Sequence, residues 1–139
     1  MKNIIWLASY PKSGNTWTRT FISNLKYQKA SPANIKAIGV GMIASARGLF
    51  DDYAGIEASD LLPQEIHDLR PEVYDAYSDE QTEIQYMKIH DELGYTSSNR
   101  LDVSTYATRG AIYIVRNPLD VCVSFAHHNN DTIENTVGV

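Results

Sequence analysis

Apolar positions in this chain follow two periods. Ile4-Ile5-Trp6-Leu7-Ala8 is a short, unbroken apolar run, the pattern of a buried strand. Pro11 and Gly14 then force a turn. Trp17, Phe21 and Leu25 follow at i, i+4, i+8, which predicts a helix from Thr16 to about Lys29. Ser31-Pro32-Ala33-Asn34 ends it. Residues 35–55 mix Gly39, Gly41, Gly48 and Gly55 with scattered apolar positions and read as loop with a short helix. A new helix starts over Asp60–Glu65, with Pro63 early and acids in the first turn. Ile66, Leu69, Val73, Tyr74 and Tyr77 continue its apolar face, and Pro71 is expected to kink or split it. Ile84–His90 reads as a strand that ends in polar residues, and Asp91 to Val103 as loop. Ala111–Val115, β-branched and nearly all apolar, has the pattern of a central parallel strand. A helix follows, with Asn117 at its N-cap, Pro118 first and Asp120 in the third position. The tail from Asn129 to Val139 is polar and without period, and is expected to fray.

Strands separated by helical segments predict an α/β fold with a parallel sheet. In such sheets ligands sit beyond the carboxyl ends of the strands. Three strand ends here carry charged or titratable residues: Lys12 with Ser13, Lys88 with His90, and Arg116. Right-handed crossovers put all three on one edge of the sheet. The expected pocket therefore holds three cations and an imidazole around a multiply charged anion. The loop after the first strand opens a helix, where unpaired amides and the helix dipole favour an anion.

Composition narrows the partners. At 139 residues the chain is one domain by size. Its net charge of −5 argues against a broad nucleic-acid-binding surface but leaves room for a local basic pocket. The single Cys122 excludes an internal disulfide and a multi-cysteine metal site, which suits a reducing compartment. Met1-Lys2-Asn3 runs straight into the first strand, with no leader pattern and no apolar run long enough for a membrane. A cytoplasmic protein without membrane attachment is the default.

The loop is not a Walker A motif. That pattern needs Gly-Lys-Ser/Thr four residues after another Gly, and here Lys12 precedes Gly14. No strand ends in Asp as a Walker B magnesium ligand would, since the strand at Ile112–Val115 is followed by Arg116. A metal-dependent phosphoryl transferase, such as a small-molecule P-loop kinase, is therefore disfavoured, and no metal is expected.

Three motifs together carry a family resemblance. Tyr10-Pro11-Lys12-Ser13-Gly14-Asn15-Thr16-Trp17 resembles the 5′-phosphosulfate-binding motif of the sulfotransferases that use 3′-phosphoadenosine 5′-phosphosulfate (PAPS). Arg116-Asn117-Pro118-Leu119-Asp120-Val121-Cys122-Val123-Ser124 resembles their 3′-phosphate-binding motif, with the Arg-to-Ser spacing kept. Lys88-Ile89-His90 resembles the Lys-x-His at the end of the strand bearing their catalytic base. The resemblance implies a P-loop-like three-layer α/β fold, with a central parallel sheet flanked by helices. It also implies transfer of a sulfuryl group from PAPS to a small-molecule acceptor hydroxyl or amine, leaving PAP. It covers essentially the whole chain but only the front of the family domain. Those enzymes continue with a Gly-rich, Lys-containing segment that is not found before Val139, so residues 1–139 are expected to be a single, truncated sulfotransferase domain.

The implied roles follow residue by residue. Lys12 would hold the phosphosulfate and neutralise charge on the bridging oxygen as the S–O bond breaks. The amides of Ser13, Gly14, Asn15, Thr16 and Trp17 would bind the 5′-phosphate, with Thr16 adding a hydroxyl. Trp17 would pack near the adenine or serve as a core anchor. His90 would take the acceptor proton, as an imidazole that titrates near neutrality can. Lys88 would stabilise the sulfuryl oxygens. Arg116 would grip the 3′-phosphate as a fork, with Ser124, about two helical turns on, adding a hydroxyl. Asp91 could orient His90 or cap the next segment. His67, His127 and His128 read as surface or structural. Tyr53, Tyr74, Tyr77, Tyr86 and Tyr95 fit an acceptor pocket or amphipathic packing equally well. The alternative reading is a non-catalytic PAP- or nucleotide-binding domain. An open sheet edge could pair with a second copy and give a homodimer.

Overall fold

The computed structural model describes residues 2–28 and 31–138. Four parallel strands form one sheet: β1 (Ile4–Ser9), β2 (Met42–Ile43), β3 (Gln85–Ile89) and β4 (Thr108–Ile114), in the order β2-β3-β1-β4. Helices α1 (Asn15–Tyr27), α2 (Arg47–Ala54), α3 (Pro63–Glu80), α4 (Pro118–Asn129) and α5 (Ile133–Val137) complete an α/β layered fold. Among the described residues no helix is long and apolar enough to cross a membrane.

β1 is the centre of the molecule because both of its faces are apolar. Ile4 and Trp6 pack with Met87 and Ile89 of β3 against Leu49, Phe50, Val73, Tyr74 and Tyr77 of α2 and α3. Leu7 packs on the opposite side with Ile22 of α1 and Val40. Trp6 is fixed within the larger cluster. Its ring meets Tyr74 edge-on at 5.0 Å, and its indole N–H donates to Thr108 Oγ1 at 2.7 Å. Burial of this many large side chains supplies the main driving force for folding, about 1.5–3 kcal/mol for each.

The structure departs from sequence expectation at several elements. The stretch 35–55 contains α2 and the two-residue strand β2, besides a short 3₁₀ turn at Ile35–Ala37. α2 forms despite Gly48 because Leu49 and Phe50 are buried in the core. α3 continues through Pro71, which is itself buried. α3 also starts with half a capping box, the Glu65 carboxylate accepting the Leu62 N–H at 2.7 Å. α1 runs from Asn15 to Tyr27, and the expected terminal residue Lys29 lies outside the described residues, as do Met1 and Val139. The polar tail holds α5, whose Thr132 caps the Asn135 amide.

The expected position of β4 fails, and the facing of the α1 stripe has the same cause. β4 is not central: it lies at the sheet edge, and Ile112, Tyr113 and Val115 are exposed. The Trp17, Phe21, Leu25 stripe of α1 also faces outward, Trp17 at 74% exposure, while Asn15, Ile22 and Ser23 are the buried positions. Apolar content sets a tendency to be covered, but which face meets the core is decided by the neighbouring elements.

Candidate functional site

The carboxyl ends of β1, β3 and β4 converge on one edge of the sheet, as their parallel pairing requires. The loop after β1 is built from backbone strain and one buried side chain. Lys12 adopts φ 66° and Gly14 φ 111°, both left-handed. For a non-glycine residue this costs about 1–2 kcal/mol, and Gly14 meets the demand by lacking a Cβ. The Asn15 side chain is buried and ties the loop to β1, donating to the Leu7 carbonyl at 2.8 Å and the Ser9 hydroxyl at 3.2 Å. Ser13 is buried too, and its N–H closes the turn on the Tyr10 carbonyl at 3.2 Å. The expected set of free amides therefore does not begin at Ser13. The remaining ones, at Gly14, Asn15, Thr16 and Trp17, fall at the N-cap and first turn of α1, where a helix leaves its N–H groups without intrahelical partners.

A cavity of about 740 Å³ opens above this loop. Lys12, Gly14, Asn15, Thr16 and Trp17 line it from the loop and α1, Lys88 and His90 from the end of β3, and Ser124 from α4. Thr20, Ile35, Phe125 and His128 also line it, and the pattern of the chain did not single out any of these for this role. His128 could have been found from its spacing, since it stands one helical turn beyond Ser124 and on the same face. No acidic side chain is among the lining residues, so the cavity is cationic in a chain of net charge −5. Burial, and then the nearby charge of Arg19, lower the Lys88 pKa below its ordinary value. Arg19 is itself turned to the Val40 carbonyl at 3.1 Å.

One ring nitrogen of His90 is held by the backbone. Its Nδ1 lies 2.6 Å from the Ser9 carbonyl, which can only accept, so Nδ1 carries the proton and donates. Nε2 is the ring nitrogen that this contact leaves unengaged. Asp91 does not orient this ring: its carboxylate is held by Arg70 at 2.7 Å. The orienting group is a backbone carbonyl, which no sequence motif reports.

Arg116 stands apart from the lining residues. Its guanidinium donates to the Lys12 carbonyl at 3.0 Å and so braces the left-handed residue from β4's side. Ser124 lies in the second turn of α4, whose Asn117 caps the Leu119 amide at 3.1 Å. Of the five tyrosines weighed for an acceptor pocket, Tyr74 and Tyr77 are buried in the core and Tyr53 packs edge-on against Tyr77 at 5.5 Å. Tyr86 packs on the Leu7 cluster, and the exposed Tyr95 pairs with Leu101 in an isolated bridge.

The family model described as the sulfotransferase domain matches residues 2–137. Comparison with curated proteins returns no match.

Proposed function

We propose, from the premise that the chain belongs to the sulfotransferase-domain family, that it moves a sulfuryl group from PAPS to a hydroxyl or amine of a small-molecule acceptor. The observation that carries this is the placement of His90. Its Nδ1 is engaged by the Ser9 carbonyl, and it lines the same cavity as Lys12, Lys88 and the start of α1.

The cavity suits the donor on chemical grounds. PAPS is multiply anionic, and the lining offers two ammonium groups, a helix N-terminus and hydroxyls, with no carboxylate to repel it. The first-turn amides and Lys12 would hold the phosphosulfate end. Lys88 would lie against the sulfuryl oxygens, where a cation is worth most as charge shifts toward the leaving oxygen. Ser124 would take the 3′-phosphate, and Arg116 would join it by leaving the Lys12 carbonyl. Trp17, exposed and stacked on Phe21 at 6.0 Å, offers a flat apolar face to the adenine. Bound donor supplies the sulfuryl group: the S–O bond to its 5′-phosphate breaks and a new S–O or S–N bond to the acceptor forms. The acceptor's proton goes to His90 Nε2, and PAP is the product.

The test is incubation with PAPS and a panel of alcohols, phenols and amines, with PAP release followed. Thermal stabilisation by PAP, AMP and ADP with Mg²⁺ is measured in parallel. At 100 times Kd a ligand adds about 2.7 kcal/mol of stability. PAP should stabilise most, and PAP release should depend on acceptor. Stronger stabilisation by ADP with Mg²⁺ would overturn the assignment. Stabilisation by PAP with no transfer to any acceptor would favour a domain that binds the nucleotide without catalysis.

A further inference from the structure

The register of β3 with β1 ends at Ala8 beside Ile89, and His90 is the first residue beyond it. We propose that Arg70 of α3 is a positioning residue for His90: through Asp91 it holds the main chain that carries the imidazole. The proposal rests on the sulfotransferase reading above and on the role that reading gives His90.

The Arg70 guanidinium donates to the Asp91 carboxylate at 2.7 Å. Asp91 follows His90 directly, so this pair clamps the chain on one side of the imidazole. The Ser9 carbonyl, 2.6 Å from Nδ1, clamps the ring itself. Both clamps lead back to β1. Ser9 is its last residue. Arg70 stands one helical turn before Tyr74, whose ring meets Trp6 of β1 edge-on. The helix that carries Arg70 is thus anchored in the core beside the strand that carries Ser9. Other contacts strap the following segment to α3. Asp68 accepts the Ser97 N–H at 2.7 Å, and His67 Nε2 lies 3.3 Å from the Tyr95 carbonyl. Those hold the chain farther from the imidazole, whereas Arg70 holds the residue beside it.

Magnitudes separate this role from a structural one. The Arg70 side chain is 26% exposed and that of Asp91 45%. Ion pairs open to solvent add little to stability. A base displaced by about 1 Å, in contrast, can lose ~10²-fold in rate, because proton transfer needs the two partners within hydrogen-bond reach. Loss of Arg70 also frees a carboxylate next to the imidazole. A carboxylate is a stronger acceptor than a carbonyl, so a freed Asp91 competes with Ser9 for the ring N–H. Paired with Arg70, Asp91 acts on the main chain and leaves the ring to Ser9.

The test compares Arg70→Met, Arg70→Lys and Asp91→Asn with wild type. Met keeps an apolar stem and removes the charge, Lys restores a cationic donor, and Asn keeps the shape of Asp91 without its charge. The readouts are single-turnover PAP release from PAPS with the fastest acceptor of an alcohol, phenol and amine panel, calorimetric PAP affinity, the urea midpoint, and the ring ¹⁵N shifts of His90. Arg70→Met and Asp91→Asn should each lower the transfer rate by about 10- to 100-fold and move the His90 ring shifts. PAP affinity and the urea midpoint should stay at their wild-type values. Arg70→Lys should restore most of the rate. The double variant should lose no more than either single one, because both break one contact. Unchanged rate and ring shifts in Arg70→Met, or losses that multiply in the double variant, would overturn the proposal. So would a lower urea midpoint with the ring shifts in place, the mark of a pair that only stabilises the fold. The ring shifts need no turnover, so a wild type that transfers to no acceptor counts against the sulfotransferase reading and leaves this test standing.

Discussion

At His90 a single backbone contact fixes which ring nitrogen is engaged. The Ser9 carbonyl accepts from Nδ1, and under the proposed function this would leave Nε2 for the acceptor proton. His90→Ala should lower transfer by about 10²–10⁴, the usual worth of a positioned base, and leave PAP binding unchanged. Single-turnover PAP release and calorimetry would read the two effects separately. Lys88 carries a second expectation. Burial and then Arg19 lower its pKa from the ordinary 10.5. Between the folded value and 10.5 the folded chain binds fewer protons than the unfolded one, so the stability cost of burying this charge is relieved as pH rises through that window. Anion binding runs the other way, because the cation is lost over the same window. PAP affinity should therefore fall, as pH approaches the lysine range, sooner in wild type than in Lys88→Arg, whose guanidinium stays charged. Calorimetric titration from neutral to alkaline pH checks this, and identical profiles would exclude Lys88 as an anion contact.

At the level of elements, the loop between β3 and β4 is tied to α3 by a polar cluster. Arg100 pairs with Glu72 and with Asp75, and the fully buried Ser104 hydroxyl donates to Asp75. Asp75→Ala leaves that hydroxyl without its acceptor and should cost about 1–3 kcal/mol, seen as a lower urea midpoint, with PAP affinity unchanged. No motif announced this cluster, since its members are 25 to 29 residues apart and meet only because α3 packs along the sheet. Other elements were readable. β1, the turn at Pro11 and Gly14, α1, the proline-led starts of α3 and α4, and β3 all stand where period and capping residues placed them. α2 was legible only as a short helix without bounds. Gly48 and the paired acids at 51 and 52 hide its period, and burial of Leu49 and Phe50 overrides them. β4 was found as a strand but misplaced as central, because a run of apolar residues reports composition and not position within a sheet.

Across the whole molecule, charge is segregated. The chain is acidic overall, yet the cavity above the β1 loop is lined by lysines and histidines without an acid. PAP affinity should therefore fall as salt is raised, because ions screen attraction between exposed charges beyond a Debye length of about 10 Å at 0.1 M. Calorimetry across a salt series reads this, and a flat response would show that uncharged contacts hold the nucleotide. Lys12, Lys88 and His90 were each legible as cavity-lining candidates from pattern, because strand ends and turn residues are local properties of the chain, whereas Ser124 was named only through the family resemblance. Parallel strands were legible for the same reason, since only a crossover can follow each one. Three things were settled by tertiary structure alone. The Ser9 carbonyl faces His90 only because β1 and β3 are neighbours. Arg116 braces the Lys12 carbonyl because β4 lies beside β1. A second, apolar cavity behind His90 exists because the β1–β4 register sets Ala8 and Ala111 between the rings of Trp6 and Tyr113. Each depends on contacts between residues far apart in the chain, which no local period records.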